Sequence, residues 1–142
     1  MQNNKDIVAR HLNQIWVERD ISAIDQILAE NAEIHSPMHT FHGKQTMHDI
    51  VEKWLTAFPD LTMKWNDLIA EGDKVVCRFT ADGTHLGGFF ETKPTYREVH
   101  FTGVMIFHLT DRKITDYWSL VDIHAILSQL EEYATLEEAL ES

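Results

Sequence analysis

The main change in the hydrophobic period of this chain falls at Pro59, from helical to alternating, and that change limits the folds open to it. Before it, Ile7, Val8, His11, Leu12, Ile15 and Trp16 recur at the spacing of one helical face. Ile24, Ile27 and Leu28 repeat the pattern after Asp20, which suits a helix cap. Ala32 to His35 read as a brief strand stopped by Pro37, and Met47, Ile50, Val51, Trp54, Leu55 and Phe58 make a third helical stripe. After Pro59 the period is two: Leu61, Met63 and Trp65 alternate with Thr62, Lys64 and Asn66. "EGDK", Glu71 to Lys74, turns the chain into a strand over Val75 to His85. A Gly-containing loop, "LGGFFETKPTY", leads to a long strand from Glu98 to Leu109. "TDRK", Thr110 to Lys113, then turns it into a last strand, Ile114 to Val121, and a helix from Ile123 to about Tyr133 follows.

Helices followed by a largely antiparallel sheet and a closing helix predict an α+β fold. A sheet of this size, too small for a sandwich and strongly curved around three to four helices, leaves a tapering cavity between the layers where a small ligand would bind. The 142 residues suit one domain, over 1–131, with 132–142 as an acidic C-terminal tail. Twelve Lys and Arg against 23 Asp and Glu, net −11, would repel a phosphate backbone, so nucleic acid is not an expected partner. No apolar run has the length of a membrane span and the start "MQNNKDIVAR" lacks a secretory apolar segment, so the chain is expected in the cytoplasm, away from membranes. A single cysteine, Cys77, allows no internal disulfide, and its strand position suits a buried inert thiol.

Chemistry concentrates near the end of the last strand. Trp118, Leu120 and Asp122 share strand parity, as do Thr102, Val104, Ile106 and His108 on the strand before. The "TDRK" hairpin makes those strands neighbours, so an imidazole, an indole and a carboxylate can line one apolar pocket. A carboxylate desolvated there would have a raised pKa suited to general acid/base work, with neutral His108 donating to an oxygen that gains negative charge. The same Asp122 stands where a helix N-cap stands, a role that would lower its pKa instead. Spacing alone leaves both open. His35, at the end of the first strand, is expected to face the cavity; Trp54 extends a helical stripe, and His85, ending a strand beside the Gly-Gly loop, is expected either at a pocket entrance or simply exposed. His35, His39 and His42 match no HExxH or finger spacing, so no metal is expected.

Several fragments together resemble the SnoaL-like polyketide cyclases: "AFPDL" at 57 to 61, "EGDKVVCRF" at 71 to 79, "GTHLG" at 83 to 87, "PT" at 94 and 95, "RKITDYW" at 112 to 118, Asp122, and "QL" at 129 and 130. The resemblance spans about residues 5 to 131. It implies the cone-shaped α+β barrel shared with nuclear transport factor and ketosteroid isomerase, assembled as a homodimer or homotetramer. It also implies intramolecular aldol ring closure, or a related isomerase or lyase reaction, without metal or organic cofactor. In relatives the acid/base is an acidic residue after the last strand with a strand histidine nearby; the matching positions are Asp122 and His108, with His35, Trp54, His85 and Trp118 as pocket residues. The expected substrate, from the acid/base pair and the apolar pocket, is a small, largely apolar carbonyl compound, and the alternative is a non-catalytic small-molecule-binding protein on the same fold. Lys93 and Tyr96 stand where many relatives carry a proline and a glycine, so the loop at the pocket mouth is this chain's own.

Overall fold

The computed structural model describes residues 3–37 and 39–131; the acidic tail lies outside them. Asn3 caps α1 (Asn4–Leu12) by accepting the Asp6 N–H on its side-chain oxygen. The helix then widens into a π-helical turn, Asn13–Val17, in which the Glu18 N–H reaches back to the Asn13 carbonyl at 2.9 Å. Arg19, at φ 59°, ends it, and α2 (Ser22–Ile27) follows after Asp20, whose carboxylate accepts from the Ser22 N–H at 3.2 Å.

The strands are β1 (Leu28–His35), β2 (Thr40–His42), β3 (Thr62–Glu71), β4 (Lys74–Thr84), β5 (Glu98–Thr110) and β6 (Lys113–Val121), with α3 (Lys44–Ala57) between β2 and β3. Residues 123–131 are helical. The strands form one open curved sheet in the order β2-β1-β6-β5-β4-β3. Every neighbouring pair is antiparallel except β1 and β6, so the sheet is mixed. The expected α+β architecture is therefore present. Two features go beyond the sequence reading: β1 starts at Leu28, and β2 pairs across Pro37 to form an added edge.

One face of the sheet packs on the helices. Val75, Cys77, Phe79 and Ala81 of β4, and Val99, Phe101, Met105, Phe107 and Leu109 of β5, are buried there against Val8, Leu12, Ile15 and Phe58. Removing that apolar area from water is the main source of stability. Near the hairpin, β6 holds one extra residue: His108 pairs with Asp116 while Leu109 pairs with Ile114, leaving Thr115 unmatched. That bulge inverts the parity of β6. Ile114 and Tyr117 are both buried, and Asp116, Trp118 and Leu120 turn to the opposite, outer face. Cys77 is buried as expected, and burial pushes its thiol up to about 11, too high to supply thiolate at neutral pH.

Candidate functional site

The structure divides the anticipated site residues between the two faces of the sheet. His108, Trp118 and His35 meet on the outer face. Trp54 and His85 belong to the interior, in an aromatic cluster with Phe58, Phe89 and Phe101 whose ring centroids lie 5.2 to 6.5 Å apart. Asp122 is at neither place. It stands exposed at the end of β6 and accepts the Ala125 N–H at 3.0 Å, capping the closing helix. Its own N–H donates to Thr102, six residues along β5 from His108, a separation of about 20 Å at ~3.3 Å per residue. His108 and Asp122 thus stand far apart along the strands and do not form one cluster. Asp122→Ala should lower unfolding free energy by about 1 kcal/mol and Asp122→Asn by much less, because an amide oxygen caps equally well; urea unfolding of both variants reads the difference.

The interior carries a polar set that the helical periodicity hid among core positions. His11 lies on the buried stripe of α1, fully enclosed, its ring edge-on to Tyr117 at 5.9 Å and to Phe107 at 6.3 Å. Among the described residues neither of its ring nitrogens has a hydrogen-bond partner, and burial lowers its pKa from 6.5 to about 4, so the imidazole is neutral at physiological pH. Trp16, on the π-helical turn, is buried near Tyr117, and among the described residues its indole N–H also lacks an acceptor in hydrogen-bonding geometry. Burial pushes the Tyr117 phenol far above its usual range, only partly offset by the nearby Trp16 indole, so it stays a hydroxyl; it donates to the Met105 sulfur at 3.6 Å. Trp65 Nε1 donates to the Asn13 side chain at 3.0 Å and ties the π-helical turn to β3.

Unpaired buried polar atoms are uncommon in folded proteins and ask for an explanation, and π-helical turns concentrate at functional positions. At the other end of the interior, His85 accepts the Thr95 N–H on Nδ1 at 3.2 Å, which places its hydrogen on Nε2, an atom with no partner. Burial lowers the His85 pKa despite the opposing effect of the Gly87 backbone. Among the described residues no carboxylate is buried, and the buried ionisable side chains of the interior include the imidazoles of His11 and His85 and the Tyr117 hydroxyl.

The outer face is built from two cross-strand rows. Register places Lys74, His108, Asp116, Glu33 and His42 side by side on β4, β5, β6, β1 and β2, and Val76, Ile106, Trp118, His35 and Thr40 in the next row. His35 stacks on Trp118 with ring centroids 4.1 Å apart, and its Nδ1 meets the Thr40 hydroxyl at 3.0 Å. Asp116 contacts His35 Nε2 at 3.1 Å and His108 Nδ1 at 3.4 Å. Partial burial pushes the Asp116 pKa up, but the hydrogen bonds and charge of the two histidines outweigh it and hold the carboxyl below its usual value. A recess of about 250 Å³ opens over Lys74, Ile106, His108, Asp116 and Trp118.

An open, curved, mixed sheet packed on one face by helices defines an α+β fold. The model of the SnoaL-like polyketide cyclases matches residues 6–130, and the chain belongs to that family. AclR of Streptomyces galilaeus, a candidate hydroxylase, superposes with a TM-score of 0.81 at 26% identity over 90% of this chain and 84% of its own. IdmH of Streptomyces antibioticus, a candidate polyketide cyclase, gives 0.78 at 25% identity over 92% and 99%. A SnoaL-like protein of Jannaschia gives 0.84 at 19% identity over 89% and 90%, which speaks for the fold alone. No curated protein matches the chain. Among the described residues no helix is long and apolar enough to cross a membrane.

Proposed function

We propose that this chain is a cofactor-independent acid/base enzyme acting on a small, largely apolar carbonyl compound, by intramolecular aldol cyclisation or a related isomerase or lyase reaction in the interior of the fold. Family membership supports the class. The reaction is not carried by likeness, since neighbours of similar identity are described as a hydroxylase and as a cyclase. The observation that carries the reading is His11: a fully buried neutral imidazole with both ring nitrogens unpaired.

A neutral imidazole offers one acceptor and one donor. The acceptor nitrogen takes a proton from the carbon next to a carbonyl, while the Trp16 indole N–H and the Tyr117 hydroxyl supply donors for the oxygen on which charge develops. The imidazolium and enolate form together in a low-dielectric interior, where their attraction is strong. Returning the proton at another carbon isomerises the substrate; attack of the carbanion on a second carbonyl closes a ring, and the imidazolium then returns its proton to the alkoxide so formed. A charged substrate would lose its hydration without a compensating partner, so the interior selects uncharged molecules.

The test needs no natural substrate. Wild-type protein incubated in D₂O with a panel of cyclic ketones and 1,3-diketones should incorporate deuterium at the α carbon, read by proton NMR, and His11→Leu should not. Binding of the same compounds to both proteins without exchange in either would replace the enzyme by a ligand-binding protein. Absence of binding altogether would remove the interior as the site.

A further inference from the structure

On the opposite face of the sheet, and independently of the interior, the register creates an electrostatic anomaly. Glu33 on β1 and Asp116 on β6 are directly paired across a parallel ladder, and like charges placed so are destabilising. Between them, from the next row, comes the His35 ring, nine-tenths buried, with Nε2 3.4 Å from Glu33 Oε2 and 3.1 Å from Asp116 Oδ1. The three ligand atoms all lie within 4.8 Å of one another. One ring nitrogen thus faces two carboxylates, and it carries at most one hydrogen. The neutral ring satisfies at most one of them through Nε2–H, and in the tautomer whose Nδ1 donates to the Thr40 hydroxyl the Nε2 lone pair faces both carboxylates.

We propose that Glu33, His35 and Asp116 form a binding site for a divalent transition-metal ion, through Oε2, Nε2 and Oδ1. An ion about 2.1 Å from each ligand sets neighbouring ligand atoms about 3.0–3.4 Å apart, and both nitrogen-to-oxygen distances fall in that range. The mixed imidazole and carboxylate set suits Zn²⁺, Co²⁺, Mn²⁺ or Fe²⁺ and gives no purchase to a soft ion that needs thiolate. The surroundings match those of metal ligands elsewhere. Thr40 fixes the His35 ring, stacking on Trp118 holds its plane, His108 Nδ1 holds the second Asp116 oxygen, and His42 lies 3.4 Å from the second Glu33 oxygen. Three protein ligands leave positions for water or a small oxygen-donor ligand, and the recess over Lys74 and His108 gives them access.

The experiment uses chelator-treated full-length protein titrated with Zn²⁺ by calorimetry and with Co²⁺ by visible absorption. One equivalent should bind ahead of any weaker uptake, with a Co²⁺ d–d band. Glu33→Gln and Asp116→Asn should each weaken that first equivalent by more than about tenfold while a His39→Gln control leaves it unchanged. The half-exposed Glu33 variant keeps the test sound if the Asp116 variant folds poorly. First-equivalent affinity unchanged in Glu33→Gln, or lost in His39→Gln, overturns the proposal and assigns the metal to exposed histidines.

Discussion

Between pH 7.5 and 4.5 the wild-type protein should lose about 2–3 kcal/mol of stability that a His11→Leu variant keeps. In the unfolded chain His11 titrates near 6.5, while in the folded protein burial lowers it to about 4. Between those values the unfolded state binds a proton that the folded state refuses, so stability rises with pH across this window and falls on acidification. A tenfold difference in proton affinity between the two states is worth about 1.36 kcal/mol, and a depression of this size amounts to about 3 kcal/mol once pH is below both values. Other groups titrate in the same range, so the readout is the difference between two curves. Urea unfolding of both proteins at the two pH values measures it, and parallel pH dependences would show that His11 is not held neutral. The same burial that makes acid costly keeps the imidazole unprotonated at neutral pH, which the proposed proton transfer requires.

Gly103→Ala should destabilise the protein by about 3 kcal/mol, and Phe79→Leu in the same chain should recover much of that loss. Gly103 pairs directly with Phe79 on β4 and Val121 on β6 in the middle of the sheet. A Cβ there would sit 2.5 Å from Phe79 Cζ, 2.7 Å from Phe79 Cε1 and 2.9 Å from the Leu120 carbonyl oxygen. The ring is buried among the side chains of the helix-facing layer and has no room to swing away, so the cost is that of overpacking a tight core. Shortening Phe79 to leucine removes the two ring atoms in conflict, at the cost of a cavity of its own. A double-mutant cycle by chemical denaturation should therefore give strongly non-additive losses. Additive losses would mean that the Leu120 carbonyl, not the ring, is the obstacle.

Much of this architecture was legible because period and punctuation agree. The three apolar helical stripes, the strands from Leu61 onward and both tight hairpins lie where alternation and turn residues put them. The fragments that carry the family resemblance have structural causes as well. In "AFPDL" the Asp60 carboxylate receives the Thr84 N–H and hydroxyl at 2.7 and 2.6 Å, tying the end of α3 to the end of β4. In "GTHLG", Gly83 lets Phe58 lie against the strand, since a Cβ there would be 3.0 Å from Phe58 Cβ.

The site was less legible, for a reason inherent in period two. Alternation sorts Thr102, Val104, Ile106 and His108 from Phe101, Gly103, Met105 and Phe107, but both sets contain apolar residues, and nothing local says which one faces the helices. The unmatched Thr115 then inverts the parity of β6, so Trp118 and His108 come together on the outer face and Tyr117 takes the interior position. A histidine on an otherwise apolar stripe was the available signal for His11, masked by its regular spacing. By itself the sequence determined the helices and strands other than β2 and the start of β1, their order, the family and which residues share a strand face, because these follow from local periodicity and turn chemistry. Only the tertiary structure decided which face is inside, that His108 and Asp122 stand far apart, and that Glu33, His35 and Asp116 meet, because those depend on register between strands distant in the chain.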